Sequence, residues 1–250
     1  MGKYCKRIVL LFLLLFATNS YAVSPAILHG MSGGSGGCID GTYSLAWDGE
    51  YSGDTDKACL DSGSSIADAT DASAGVIDAG GAITGSYGAL INAAGEHVRW
   101  AAESTSIDNA GTVQVDVTTP SSFTEDRPIF EIYLDTANSI MGYYHLGTDR
   151  IYLRHESAGS LDYHYTASPA ESTTATLYFT WKDTATETMC IKIDDGSWDC
   201  DAGVNLGAGF TPVSYAIGED QDYYIVTSLS TGTDIWKMDD IKFRNGYEGD

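Results

Sequence analysis

The chain has 250 residues and carries 35 Asp+Glu against 13 Lys+Arg, a formal net charge of −22. So acidic a surface repels nucleic-acid phosphates and anionic membranes and attracts cations, which sets aside nucleic-acid binding. Hydrophobic residues at 43% and 16 tyrosines exclude a disordered chain despite that charge.

The N-terminus reads MGKYCKRIVLLFLLLFATNSYAVSPA. Lys3, Lys6 and Arg7 precede an apolar run from Ile8 to Phe16, and Ser20-Tyr21-Ala22 places small residues at −3 and −1. This is the pattern of a secretory signal peptide, residues 1–22, with cleavage expected after Ala22. The apolar run is less than half the roughly 20 residues a membrane-spanning helix needs. The mature chain is therefore expected to be exported, either periplasmic or secreted, without inserting in a membrane. Cys5 lies ahead of the apolar run and leaves with the signal. Residues 23–37, rich in Gly and Ser, read as a flexible leader, and residues 38–250 as a single domain, a length that all-β sandwiches often reach.

From Cys38 to about Ala82 the text is rich in turn residues, with one strand expected over residues 43–48. Short β-like runs then recur about every ten residues: 86–92, 97–101, 111–119, 129–135, 141–146, 150–156, 161–167, 176–183, 189–193, 215–219 and 234–244. Many alternate; Val113, Val115 and Val117 share one face, and Gln114, Asp116 and Thr118 the other. Period-2 alternation with turn punctuation predicts an all-β, antiparallel β-sandwich of two sheets.

Four cysteines remain after the signal: Cys38, Cys59, Cys190 and Cys200. In an exported chain this even count points to disulfides, and a zinc site would need CxxC or HxxxH spacing that is missing. In CIKIDDGSWDC (190–200) a hairpin centred on Asp195 sets Cys190 opposite Cys200. The expected connection is a three-residue loop, Asp194-Asp195-Gly196, with Gly196 in the left-handed region. Cysteines facing each other across a non-hydrogen-bonded pair lie within bridging distance. Cys38–Cys59 follows by elimination. Trp198, on the face of Cys190, Lys192 and Cys200, is expected to cover the disulfide.

The order of the runs adds a family likeness. GALINAAGEHVRW (88–100), GTVQVDVTT (111–119), LYFTWKDTATETMCIKIDDG (177–196), YAIGED (215–220) and WKMDDIKFRN (236–245) stand in the order of the strand motifs of laminin G-like domains. Over residues 86–245 the chain thus resembles the concanavalin A-like lectin and glucanase superfamily. The resemblance implies a jelly roll with one concave and one convex sheet. It also implies one structural calcium near the first and last strands, matched here by Asp48 and by Asp239 or Asp240. Glu219, Asp220 and Asp222 offer a second acidic run. Hard oxygen ligands on an acidic exported protein suit calcium, and no other cofactor is called for.

The superfamily's glucanases carry a Glu-x-Asp-x-Glu run, which this chain lacks. Glu131 and Asp135 would stand about 13 Å apart along a strand, too far to act as a pair across a glycosidic bond. A nucleophile elbow, a phosphate loop and a dinucleotide fingerprint are also missing. The meander YYHLGTDRIYLRHESAGSLDYHY (143–165) instead offers aromatic planes beside Arg and His donors. With Ile151 and Leu153 facing the core, Arg150, Tyr152, Arg154 and Glu156 share the opposite face, and Tyr144, Asp162 and His164 are expected to join them. The expected function is a non-catalytic, lectin-like binding module for carbohydrate. The alternatives are a structural or adhesive protein that binds other proteins and, third, a divergent polysaccharide lyase or hydrolase. A groove lined by Tyr152, Arg154 and His164 would mark the first; scattering of those residues over a flat sheet would mark the second.

Overall fold

Runs that alternate apolar and polar side chains make strands with one face for a core and one for solvent. The computed structural model shows two antiparallel sheets of such strands packed as a sandwich. It describes residues 45–47, 71–72, 77–93, 95–101, 110–158, 160–182, 188–204, 206, 212–218 and 234–249, all within the compact unit Gly37–Asp250. The expected signal peptide and leader, Cys38, Asp48, Cys59, Glu219, Asp220 and Asp222 lie outside the described residues.

In chain order the strands are β1 (Leu45–Trp47), β2 (Asp71–Ala72), β3 (Ile77–Asp78), β4 (Gly88–Ile91), β5 (His97–Ala101), β6 (Ala110–Thr118), β7 (Arg127–Asp135) and β8 (Asn138–His145). They continue as β9 (Arg150–Ser157), β10 (Ser160–Ala167), β11 (Thr174–Lys182), β12 (Thr188–Ile193), β13 (Asp199–Ala202), β14 (Ser214–Gly218) and β15 (Trp236–Asn245). One sheet has eight strands, in the order β13-β12-β11-β6-β15-β4-β3 with β1 also on β15; the other has seven, in the order β10-β9-β8-β7-β14-β5-β2. Each run predicted by alternation is a strand here. The two-residue strands β2 and β3 fall where the sequence reads as loop, because two residues carry no period.

The core lies between the sheets. Val113, Val115 and Val117 of β6 are fully buried, as are Ile151 and Leu153 of β9. Phe130 of the seven-stranded sheet meets Phe179 and Phe243 of the other edge-on, at 5.0 and 6.1 Å between ring centroids. Such contacts add to the burial of the rings themselves. Gly142 on β8 makes room for this cluster, since a Cβ there would strike the Phe130 ring. Trp47, Trp100, Trp181 and Trp236 are all buried. Trp198 is therefore the one half-exposed tryptophan of the five.

Cys190 and Cys200 are bonded across β12 and β13, with their Cα atoms 4.1 Å apart, in the register expected for the hairpin. The loop differs from expectation. It runs over residues 194–198, and the left-handed residue is Asp194 (φ 52°), not Gly196. Asp194 N donates to Thr176 O at 2.8 Å and its Oδ1 accepts from Thr176 N at 2.8 Å. A short polar side chain that bonds locally tolerates this conformation, so β11 holds the turn from its neighbouring strand.

Candidate functional site

The β9–β10 hairpin decides which side chains share a surface. Two residues, 158 and 159, join the strands, and Ala158 is left-handed (φ 50°), as tight hairpin turns require. A two-residue connection pairs Ser157 with Ser160, hence Arg154 with Tyr163, Tyr152 with Tyr165 and Glu156 with Leu161. Directly opposed residues point to the same face. Leu161, Tyr163 and Tyr165 therefore join Arg150, Tyr152, Arg154 and Glu156 on the outward face. Asp162 and His164 oppose His155 and Leu153 and point inward. The expectation that Asp162 and His164 would share the Arg154 face is corrected by that parity.

The outward face is an array of rings. Tyr143 of β8 stacks on Tyr152 at 5.2 Å between centroids, and Tyr152 meets Tyr165 at 5.2 Å and Tyr163 at 6.1 Å. The Arg150 guanidinium lies 4.2 Å from the centroid of the Tyr165 ring, a favourable cation–π position. Arg154 pairs with Glu156 at 2.5 Å. Exposure separates the array into a floor and a platform. Tyr143, Tyr152 and Arg154 are buried, with Met141 beside the two tyrosines. On the edge strand β10, Leu161, Tyr163 and Tyr165 are exposed at 49%, 52% and 42%. Burial pushes the Tyr143 phenol up, and its neighbour Tyr152 adds to the shift; it stays neutral at any ordinary pH.

Tyr144 is not on this face. It lies in the core, stacked on Phe123 at 4.3 Å, and its hydroxyl donates to Asp149 Oδ1 at 3.1 Å. His164 points between the sheets, where its Nε2 donates to Asp199 O at 2.9 Å and ties β10 to β13. Asp162 Oδ1 accepts from Tyr163 N at 2.9 Å. The predicted constellation thus separates into an outward set of Arg150, Tyr152 and Arg154 and three residues with other positions. Tyr163 and Tyr165, the exposed members, belong to the platform through the two-residue turn, the signal that locates them.

Among the candidate calcium ligands, the described Asp239 and Asp240 are engaged by the protein itself. Asp239 is fully buried. Its Oδ2 accepts from Ile83 N (3.0 Å), Thr84 N (2.9 Å) and Thr84 Oγ1 (3.3 Å), and its Oδ1 from Asp240 N (2.9 Å). Burial raises its pKa while these bonds oppose the rise. Asp240, left-handed at the bulge of β15, pairs with Lys242 at 2.6 Å. Among the described residues no three His, Cys, Asp or Glu side chains are grouped to hold a metal. A carboxylate already filled by N–H donors does not fit a calcium ligand, and no step of function is derived through the ion.

Acid–base candidates are equally committed. Asp135 caps the β7–β8 turn, accepting from Asn138 Nδ2 and Ala137 N at 2.8 Å each, and these bonds lower its pKa. Thr148 Oγ1 lies 3.1 Å from Tyr152 Oη and 3.2 Å from His145 Nδ1. This brings a Tyr and a His to one atom, at the edge of the outward face.

No protein-family model matches the chain, and no curated protein matches it. Solved structures do. The botulinum neurotoxin serotype C1 binding domain is similar over 83% of this chain and 49% of its own, with a TM-score of 0.61 at 9% identity. The serotype D binding domain matches over 83% and 48%, with a TM-score of 0.59 at 8% identity. The serotype G binding domain matches over 82% and 48%, with a TM-score of 0.58 at 9% identity. The chain spans about half the length of these structures. At such identities the likeness is one of fold, a β-rich sandwich.

Proposed function

We propose that this chain is an exported, non-catalytic binding module of laminin G-like, concanavalin A-like character, and that its outward β9–β10 face packs against polysaccharide. The observation that carries this reading is the exposed row of Leu161, Tyr163 and Tyr165 on a floor of stacked, buried tyrosines, with Arg150 fixed over Tyr165. Rings held by their neighbours lose little freedom on binding, which is how aromatic side chains give contact area at low entropic cost. That solved neighbours of the same fold are described as binding domains agrees with a binding role.

A protein partner is the second reading. Leu161, an exposed aliphatic side chain beside two tyrosines, is typical of protein interfaces. The separation of His164 from Tyr152 and Arg154 also removes the groove expected for the first reading.

The test is retention on a panel of insoluble and immobilised polysaccharides. Burying a half-exposed Tyr ring is worth about 1–2 kcal/mol, so Tyr163→Ala should weaken retention roughly tenfold, and Tyr165→Ala likewise. Retention that both variants keep in full would place the ligand elsewhere. No retention of the native chain on any glycan would leave the protein-partner reading.

A further inference from the structure

The opposite sheet carries a second aromatic surface, built independently of the first. Its outward side chains on β11 and β12 include Tyr178 and Lys192, which oppose each other in register. The 194–198 loop brings Trp198 edge-on to Tyr178, at 6.3 Å between centroids and 72° between planes. Trp198 therefore packs on Tyr178. The side chain against the disulfide is Tyr247, whose hydroxyl is 3.1 Å from Cys190 Sγ; this corrects the expectation that Trp198 would cover it.

Residues 246–249, after β15, fold back over this sheet. Gly246 N donates to Ala110 O at 3.1 Å, Thr112 Oγ1 donates to Gly246 O at 2.8 Å, and Glu248 N donates to Thr180 Oγ1 at 3.1 Å. Lys182 Nζ lies 4.0 Å from the centroid of the Tyr247 ring, and Glu248 pairs with Arg244. These contacts fix Tyr247 and Glu248, which together with Lys192 and Trp198 line an open cleft of about 410 Å³. That size lies within the range of small-molecule sites.

Two features show what such a cleft takes. Lys192 Nζ meets the rings of Tyr178 and Trp198, at 4.1 and 4.9 Å, and no carboxylate among the described residues. In a chain of net charge −22, that leaves an ammonium whose N–H donors are available to a ligand oxygen. Glu248 supplies an acceptor in the same lining, and Trp198 a half-exposed ring. One apolar plane with a donor and an acceptor in the same lining matches a pyranose, whose C–H face stacks while its hydroxyls both give and accept hydrogen bonds. The acidic surface disfavours phosphorylated or sulfated ligands.

We propose that the Lys192–Trp198–Tyr247–Glu248 cleft is a second binding site, for a single neutral sugar unit, on the sheet opposite the aromatic platform. Two sites on opposite faces would let one chain bridge two glycans, with the gain in avidity that linkage brings.

Trp198 is its own reporter, because the other four tryptophans are buried. The full chain is titrated with methyl glycosides of glucose, galactose, mannose and N-acetylglucosamine, and quenching of tryptophan emission by acrylamide is followed. One or more of these sugars is expected to protect the accessible emission saturably. Glu248→Gln and Lys192→Ala are each expected to raise the dissociation constant at least fivefold. Tyr163→Ala is expected to leave protection unchanged, which separates this site from the platform. The proposal is overturned if none of the four sugars protects Trp198 well above millimolar concentration. It is equally overturned if protection survives undiminished in both cleft variants.

Discussion

His155 should make the fold sensitive to acid. It points inward on β9, between Ile140 and Asp162 in register, and is 1% exposed. Burial alone lowers its pKa from 6.5 to about 4, because the charged imidazolium would lose its hydration. The folded state therefore binds fewer protons than the unfolded chain between those two values, and stability must fall as pH drops through that window. Above pH 6.5 the contribution is complete. Integrating the proton difference gives a loss of about 2 kcal/mol at pH 5 and about 3 kcal/mol at pH 4. Asp116 and Asp239 do not produce this loss, since burial raises the pKa of each, so each favours the folded state as it protonates. The assay is urea unfolding at pH 7, 5 and 4, followed by the emission of the buried tryptophans, for the native chain and His155→Phe. The variant should lose less stability than the native chain by those amounts. Parallel losses in the two proteins, or an NMR titration of the His155 ring with a midpoint at or above 6.5, would refute the reasoning.

Three further outcomes follow from groups with defined partners. Asp239→Ala removes the acceptor of the part-buried amides of Ile83 and Thr84, and at roughly 1–1.5 kcal/mol per lost hydrogen bond it should lower the unfolding free energy measured in urea by about 2–3 kcal/mol. Because that carboxylate is filled, any rise in melting temperature from EDTA to excess Ca²⁺ should be as large in Asp239→Ala as in the native chain; its loss in the variant would show that Asp239 binds the ion. The Cys190–Cys200 bridge closes a short loop, with a sequence separation of 10, for which the chain-entropy model gives about 3 kcal/mol. The Cys190→Ala/Cys200→Ala double variant should lose that much, and an undiminished midpoint would mean the bridge restrains little in the unfolded chain.

Strand positions and their core faces are legible in the sequence wherever alternation runs for four residues or more. Val113, Val115 and Val117 announce the buried face of β6, and Ile151 and Leu153 that of β9, because a period of two is a direct property of the strand. The Cys190–Cys200 register is legible for the same reason: a palindromic spacing about Asp195 fixes the pairs. Local rules fail where another strand intervenes. Glycine at position 196 is the residue a local turn rule would make left-handed, but Thr176 on β11 bonds both the amide and the carboxylate of Asp194 and moves the left-handed residue there. Trp198 likewise follows Tyr178, a residue twenty positions away, rather than the disulfide it flanks.

The candidate site shows how one turn governs a surface. Faces within a single strand follow from its own residues, so Arg150, Tyr152 and Arg154 are placed together by sequence. Faces across two strands depend on the number of residues that join them, and a change of one exchanges every side chain of the second strand between core and solvent. Two residues separate Ser157 of β9 from Ser160 of β10, so an even position on β9 opposes an odd one on β10. That puts Tyr163 and Tyr165 outside and His164 inside, where its ring reaches Asp199 and closes the sandwich edge. The exposed tyrosines and the edge-closing histidine are thus two consequences of the same connection: a β10 turned the other way would bury two tyrosines at the edge and lose the His164 link. Surface and core are set together by the length of one connection.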